Sequence, residues 1–515
     1  MTIAKERYDA LSSTRSQYLK IAEQASRLTL PYLIREDESY SGGARTLITP
    51  FQSVGAKSCV TLASKLMLAL LPPQTSFFKL QVDETMLAKI GGDPRIKSEL
   101  DLAFSKIERT ILETIAASDD RVVVHQALKH LVVSGNVLIF MAKEGLKLFP
   151  LNRYVVERDG DGNILEIVTK ERISRKILES EHGIKPLPPT NKIQEYSNSE
   201  DVDVYTYVKR DGSKMVWHQE VFGSTVRGSK GTAPLATNPW IALRFQTVDG
   251  EAYGRGRVEE FMGDLKSLEA LSQALVEGSA AAAKVVFTVS PSSTTKPSTL
   301  ANAGNGAIVM GRPDDIGVVQ VGKTADFATA YQMVQQLERR LSEAFLVLTV
   351  RQSERTTAEE VRMTQMELEQ QLGGLFSLLT VEFLKPYLAR KMNVSERAGE
   401  IPKLPKGIVK PVIVAGLNAL GRGQDRESLG QFLQTIAQTM GPEAIGQYIN
   451  AEEVVKRLAA AQGIDTLNLV KDQQQIQQEQ QAMQQQQQQM ELTKQQGKFA
   501  QVEQQAEAAA MQQQQ

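Results

Sequence analysis

The sequence predicts an α+β fold, mainly helical, on three observations. Apolar residues recur at helical spacing through most of the first 134 positions. Between 137 and 222 the period shortens to that of strands, with Asp-Gly turns between the runs. From 257 onward two long stretches carry apolar residues in alternating gaps of three and four. Helices first and sheet after, then helices again, is the order of an α+β chain with helical additions.

Residues 3–30 alternate at helical spacing and stop at Pro31. A polar turn region follows around Ser41-Gly42-Gly43. Helices are predicted at 52–71, stopped by Pro72-Pro73, at 94–117, and at 122–134, where Gly135 ends the run. Strands follow at 137–141, 154–156 and 164–168, with Asp159-Gly160-Asp161-Gly162 as the hairpin turn between the last two. A second hairpin joins 204–209 to 215–222 around Asp211-Gly212. The Pro-rich piece 185–189 reads as a loop. One α+β domain is therefore expected over 1–245.

The next region alternates helix, tip and helix. A helical segment is predicted over 257–285, within a unit starting at 246. Its stripe is Val258, Phe261, Leu265, Leu268 and Leu275, with polar Ser272 in the same series. A β-like, Gly/Ser/Pro-rich tip covers 286–323. A second helix follows, within 324–348, striped by Phe327, Ala330, Val334, Leu337, Leu341, Ala344 and Leu348. Such a stripe keeps one seam of a helix against a neighbour. Periodicity alone favours an ordinary antiparallel helix pair in a core. The polar loop 349–356 leads to a third helix starting at a Thr357/Glu360 capping box and ending near 390. Gly373-Gly374 and Pro386 are expected sites of bending in that helix. Pro402, Pro405 and Pro411 mark a linker, and short helices are predicted at 425–440, 442–450 and 451–462. From 471 onward roughly half the residues are Gln, a composition that cannot bury a core, and partial disorder is expected.

Bulk properties narrow the function. At 515 residues the chain is too long for one core. With 59 basic and 60 acidic residues its net charge is -1, unlike proteins that grip nucleic acid by bulk attraction. That balance still permits a protein past which DNA slides. No apolar run reaches the ~18 residues of a membrane span, and the N-terminus lacks a signal-peptide apolar region. The single cysteine, Cys59, suits a reducing cytoplasm and reads as a small core residue.

One motif points to chemistry. Gly317-Val318-Val319-Gln320-Val321-Gly322-Lys323-Thr324 matches the phosphate-binding loop G-x-x-x-x-G-K-[ST]. Its intervening residues are strand formers, however, and no parallel sheet is predicted around it. The competing reading makes 316–321 a strand and Thr324 a helix cap. His125, His130, His182 and His218 show no metal-ligand spacing, and no nucleophile elbow occurs. A non-enzymatic protein without cofactor or metal is expected. The alternatives are a P-loop nucleotide hydrolase using Lys323 and Thr324, and a coiled-coil scaffold without a channel.

Six short strings carry a resemblance. Tyr253-Gly254-Arg255-Gly256-Arg257, with 263–269 and 277–284, resembles the first stem helix of the portal, or head-to-tail connector, proteins of short-tailed bacteriophages. Residues 355–361 and 368–374 resemble that family's helix after its tunnel loop. Residues 27–33 are similar as well, so the resemblance spans about 20–460. It implies a portal-type ring subunit: wing 1–245, first stem helix 246–285, clip 286–323, second stem helix 324–348 and tunnel loop 349–356. A bent helix over 357–394 returns to the wing, a helical crown spans 395–470, and the Gln-rich tail is 471–515. The implied assembly is a dodecameric ring at one capsid vertex, built in the host cytoplasm and carried in the virion. Double-stranded DNA passes through it during packaging and ejection, and the ring nucleates capsid assembly. Implied partners are the terminase large subunit, the tail adaptor protein, major capsid and scaffolding proteins, and internal core proteins. The packaging ATPase lies in another protein. Arg351, Gln352, Ser353 and Arg355 become candidates for tunnel contacts with DNA. Lys296, Asn305, Arg312, Asp314 and Asp315 become candidates for the clip docking surface. Gly373 and Gly374 mark the helix bend.

Overall fold

A computed structural model describes residues 4–34, 47–72, 76–82, 94–142, 145–174, 201–282, 286–292, 296–304, 316–319, 324–347, 373–404, 409–413 and 422–441, with isolated positions 308, 310, 312, 314, 449 and 454. The chain divides into two compact units, Met1–Leu417 and Asn418–Gln515. The second contains a helix at Arg422–Met440. All that follows concerns the first unit.

Four helices form early: α1 Ala4–Leu28, α2 Val54–Leu70, α3 Pro94–Ala117 and α4 Asp120–Ser134. The strand β1 (Phe78–Val82) lies between α2 and α3. Gly135 ends α4 in the left-handed conformation, φ 74°, which glycine adopts without a Cβ clash. Strands β2 (Asn136–Met141), β3 (Leu146–Pro150), β4 (Tyr154–Arg158), β5 (Ile164–Ser174), β6 (Asp201–Asp211), β7 (Lys214–Val221), β8 (Ser224–Thr225), β9 (Gly231–Pro234) and β10 (Trp240–Arg244) follow. Both expected hairpins form. β4 and β5 pair around residues 159–163, and β6 and β7 pair with Asp211 opposite Lys214. Asp159 ties the first turn through its carboxylate, which accepts from the Asn163 backbone N–H at 2.7 Å.

The strands build two antiparallel sheets with separate duties. The three-stranded sheet β10-β2-β3 is a wall between two cores. Side-chain alternation points Val137, Ile139, Met141, Ile241 and Leu243 into the larger core, with α2, α3 and α4. Leu138, Phe149, Trp240 and Ala242 point into the smaller core, formed with the β4-to-β9 sheet and α1. The chain's two tryptophans, Trp217 and Trp240, meet there edge to face at 6.4 Å. The far face of β4 and β5 carries Val155 and Val168 against Ala4 and Tyr8 of α1. Buried Arg15 fastens α1 by donating to the backbone oxygens of Leu151 and Tyr154.

The linker reading of 402–411 misses a strand. β11 in space is supplied by distant sequence: Val409–Ile413 pairs antiparallel with β1, setting Pro411 opposite Leu80. Among the described residues this ribbon has two strands, and a proline is tolerated on such an edge strand. The larger core also takes in Leu379, Phe383, Leu384, Tyr387, Leu388 and Ile401. Tyr387 donates its hydroxyl to Asp120 Oδ2 at 2.6 Å, and Lys391 Nζ reaches the same oxygen at 2.6 Å. Asp120 is fully buried, and these two contacts pair its carboxylate inside the core.

Cys59 is buried in the larger core, and burial pushes its thiol up to about 12. It packs as a small apolar residue. His130 is also buried, and desolvation brings its imidazole down to about 4. The folded state therefore holds His130 neutral, whereas the unfolded chain protonates it below about 6.5. Its stabilising contribution is complete above pH 6.5 and is lost as pH falls toward 4. His130→Leu is expected to lose about 2 kcal/mol less stability than the parent between pH 6.5 and 4.5. Chemical denaturation at both pH values measures this, and parallel losses would exclude His130 as a source of the slope.

Candidate functional site

The string Tyr253-Gly254-Arg255-Gly256-Arg257 is the joint from which the helix–tip–helix region departs. Asn136 at the start of β2 clasps Gly254 from both sides: its Nδ2 donates to Gly254 O at 2.7 Å and its Oδ1 accepts from Gly254 N–H at 2.7 Å. A Cβ at Gly254 would lie 2.8 Å from Gly135 O, and one at Gly256 would lie 2.8 Å from Val133 O. Only glycine admits this backbone contact. Tyr253 is buried and its hydroxyl accepts from Val156 N–H at 3.1 Å. Arg255 is gripped by Glu251 at 2.6 Å and Glu259 at 2.7 Å, and its guanidinium lies over the Tyr18 ring. The hydrogen bond to Glu251 leads the effects that raise the Arg255 pKa, keeping it charged.

Two helices leave and return at this joint. The first is expected to run unbroken over 257–285. Instead α5 (Arg257–Glu260) and α6 (Met262–Ala282) are separated at Phe261, whose φ is -109°. Phe261 turns its ring toward Phe345, 5.7 Å away, and stacks under the Arg257 guanidinium at 5.0 Å. Residues 246–256 are not helical; Gln246 and Arg255 form a β-bridge. The returning helix α8 (Thr324–Ala344) follows the short helix α7 (Pro297–Ala301). Val258, Leu265, Leu268, Val334, Leu337 and Leu341 are buried in the larger core, and Phe261 and Leu275 pack against it. Farther out, the Phe327 ring fills the space beside Gly278. Arg340 and Asp264 join the two helices at 2.9 Å. Glu269 accepts from the backbone N–H groups of Phe51 and Gln52, and Lys266 donates to Gln24.

At the tip, Val286–Val289 pairs antiparallel with Ile316–Val319. Gly317, Val318 and Val319 of the phosphate-loop string thus sit in a strand, with Gly317 opposite Thr288. A phosphate loop would need them curled around an anion, so this pairing disfavours the nucleotide reading. Residues 320–323, including Lys323, lie outside the described residues. Lys296, Arg312 and Asp314 are exposed, while Asn305 and Asp315 lie outside the described residues. The nearby apolar side chains Ile308 and Met310 are almost fully exposed.

The returning helix stops at Ala344, four residues before its expected end. Leu346 takes a left-handed conformation, φ 59°, which no further helical turn can follow. Leu348, Arg351, Gln352, Ser353 and Arg355 lie outside the described residues. The chain is described again from 373. Gly373 and Gly374 sit within regular helix over 373–379. The irregular turn comes later, as a π-helical turn at Thr380–Leu384 in which Lys385 N–H bonds Thr380 O. Two causes meet there. Pro386 has no N–H to donate to the preceding turn. Glu382 is held by Arg244 of β10 through the backbone N–H at 2.9 Å and Nη2 at 2.6 Å. The helix α9 (Lys385–Ala398) then ends past the expected 394, at left-handed Gly399.

The role of the 253–257 string was invisible by residue type, because its partners Gly135, Asn136, Glu251 and Val156 are mostly distant in sequence. Among the described residues no cluster of His, Cys, Asp and Glu could hold a metal, and no helix is long and apolar enough to cross a membrane. His125 Nε2 meets Ser64 Oγ at 3.2 Å, a pair with no third group shown to orient it.

Comparison with known proteins defines the class. The family of bacteriophage head to tail connecting proteins matches residues 2–470, and this chain belongs to that family. Among individual relatives, the portal protein of Escherichia phage T7 is 37% identical over 494 residues, 92% of this chain and 89% of that protein. The portal protein of Enterobacteria phage T3 is 37% identical over 491 residues, again 92% of this chain and 89% of that protein. That of Pseudomonas phage phiKMV is 29% identical over 469 residues, 89% of this chain and 90% of that protein. A solved structure of the neck of an empty GTA particle aligns with 80% of this chain and 90% of that chain, at 13% identity and a TM-score of 0.40.

The glycines at the joint and in the later helix should respond oppositely to alanine. Gly254→Ala and Gly256→Ala meet backbone and are expected to destabilise by about 1–3 kcal/mol. Gly374→Ala faces open space in a helix and is expected to stabilise by about 0.5–1 kcal/mol. Thermal unfolding decides; equal effects at all three sites would contradict the joint.

Proposed function

We propose that this chain is the subunit of a phage portal, a non-enzymatic ring at one capsid vertex. The observation that carries the reading is identity of 37% to proteins named portal proteins along nearly the whole chain, within a family match over 2–470. In this reading twelve copies surround a channel for double-stranded DNA, used in packaging and in ejection. The ring nucleates capsid assembly with the major capsid and scaffolding proteins. The paired helices α5–α6 and α8 are the stem, the strand-paired tip is the clip, residues 349–356 are the tunnel loop, and residues beyond 395 lead to the crown, which meets internal core proteins.

Physical features support these roles. A net charge of -1 suits a channel that must not retain its cargo. Small charges on Arg351 and Arg355, with the polar groups of Gln352 and Ser353, become belts around an axis once twelve copies assemble. Exposed Lys296, Arg312 and Asp314, beside exposed Ile308 and Met310, give the clip the mixture of charge and apolar surface that docking uses. In this reading that surface serves the terminase large subunit first and the tail adaptor afterwards, with Asn305 and Asp315 as further candidate contacts by sequence.

Electron micrographs of the purified protein are expected to show rings with a central hole, and native mass measurement a particle of twelve times 56.8 kDa. Rods or monomers without a hole would refute the portal reading and return the coiled-coil scaffold. Arg351→Glu combined with Arg355→Glu is expected to leave rings intact and to impair packaging or DNA retention. Normally filled particles would remove the DNA-contact role from the loop.

A further inference from the structure

We infer that Lys65 and Arg257 are positioning residues that clamp the C-terminal turn of α8 and fix where the chain leaves the stem for residues 349–356. The inference rests on the reading of 349–356 as the DNA-facing loop.

The turn itself is costly to hold. Val347 N–H bonds Ser342 O at 2.7 Å, and Leu346 N–H bonds Glu343 O at 3.0 Å. This double closure requires a left-handed residue after the helix, a position glycine usually fills. Here the residue is Leu346, whose Cβ strains that conformation. A strained turn persists only where its surroundings over-determine it. Burial of Phe345 and Leu346 supplies one restraint. Packing is incomplete, however, because a cleft of about 400 Å³ borders Ala344 and Leu346, with Leu62, Phe245 and Leu375 among its other walls.

The remaining restraint is polar. The last carbonyls of a helix lack intrahelical donors and attract cations. Arg257 Nη2 donates to Ala344 O at 3.0 Å. Lys65 Nζ donates to Leu346 O, the carbonyl of the strained residue. Both cations come from other elements, Lys65 from the middle of α2 and Arg257 from the joint. Arg257 is itself aimed by Glu260 on Nη1 at 2.6 Å and by the Phe261 ring beneath it. Lys65 is drawn in from solvent, and desolvation lowers its pKa from the ordinary value. Each cation is partly buried and reaches the helix end from another element. Together they tie the exit of the stem to α2 and to the joint.

Lys65→Met and Arg257→Met keep the apolar stems and remove the donors, and Lys65→Arg keeps a donor. In each Met variant, rings are expected to form while hydrogen exchange at the Leu346 and Val347 amides quickens at least ten-fold and less DNA is retained per particle. Lys65→Arg is expected to stay within about three-fold of the parent in exchange. Exchange unchanged in both Met variants would overturn the clamp, whatever the DNA result. Faster exchange with normal DNA retention, alongside failure of the Arg351→Glu/Arg355→Glu variant, would overturn the link from clamp to loop. Faster exchange with normal retention in that charge-reversed variant would sink the DNA-contact reading and leave the clamp standing. If one Met variant fails to assemble, the other with Lys65→Arg decides.

Discussion

The structure depends on one close backbone contact, Gly135 against Gly254 through Gly256. A Cβ at Gly135 would lie 2.5 Å from Arg255 C and Gly256 N. Both sides are thereby held at a separation that only glycine allows. Asn136 locks the contact with two hydrogen bonds to Gly254, and Phe245 N–H adds a bond to Gly135 O at 2.9 Å. At this point α4 ends, β2 begins, β10 has just ended, and the stem is about to start. A shift here would move the wall between the two cores and the root of the hairpin together. Hydrogen bonding of buried backbone groups and exclusion of Cβ atoms act in the same direction, so the joint is stiff.

From that joint outward, stiffness is distributed by buried charge rather than by apolar packing alone. Arg244, the last residue of β10 in the wall, sets the π-helical turn at 380–384 through Glu382. Asp120 sets the following helix through Tyr387 and Lys391. Burial and the Asp120 charge push the Tyr387 phenol well above its ordinary range, so it stays a donor. Such pairs add little net stability over apolar replacements, but breaking one leaves an uncompensated buried charge. Their effect is to specify one arrangement. The helix after residue 373 is thus fixed in register against the body at two separate points.

The local features were legible in the sequence and the long-range ones were not. Asp159–Gly162 and Asp211-Gly212 predict their hairpins because turn chemistry is contained in four residues. Gly135 predicts the end of α4 for the same reason. The strand at 409–413 was hidden by Pro411 and by the more than 300 residues separating it from β1. The end of α8 was hidden because Leu346 carries no sign of a left-handed turn; Lys65 and Arg257 impose it from elsewhere. Gly373 and Gly374 weaken helix propensity, yet propensity lost to the tertiary pull of Arg244 on Glu382 a few residues later. The string 253–257 stood out only by resemblance, since its chemistry lies in what it touches. Of the candidate docking residues, exposure of Lys296, Arg312 and Asp314 is visible in the structure, while the arginine loop lies outside the described residues.

The heptad stripes take on a narrower meaning. Leu265, Leu268, Val334, Leu337 and Leu341 are already buried within a single chain. These five side chains are therefore spent within one chain, while Leu275 and Phe327 of the same stripe are only partly buried. Among the described residues, the most exposed large apolar side chains on these helices lie off the stripe: Val276, Tyr331 and Met333 are each about half exposed or more. They lie toward the tip, away from the rooted end of the hairpin. In a ring, then, the stripe would hold each hairpin to its own body, and the off-stripe residues would meet the adjacent copy. That division has a mechanical consequence. The rooted half is braced by the joint and by Arg340–Asp264, so a load on the tip would be carried between copies, while the exit at Leu346 stays referenced to its own subunit.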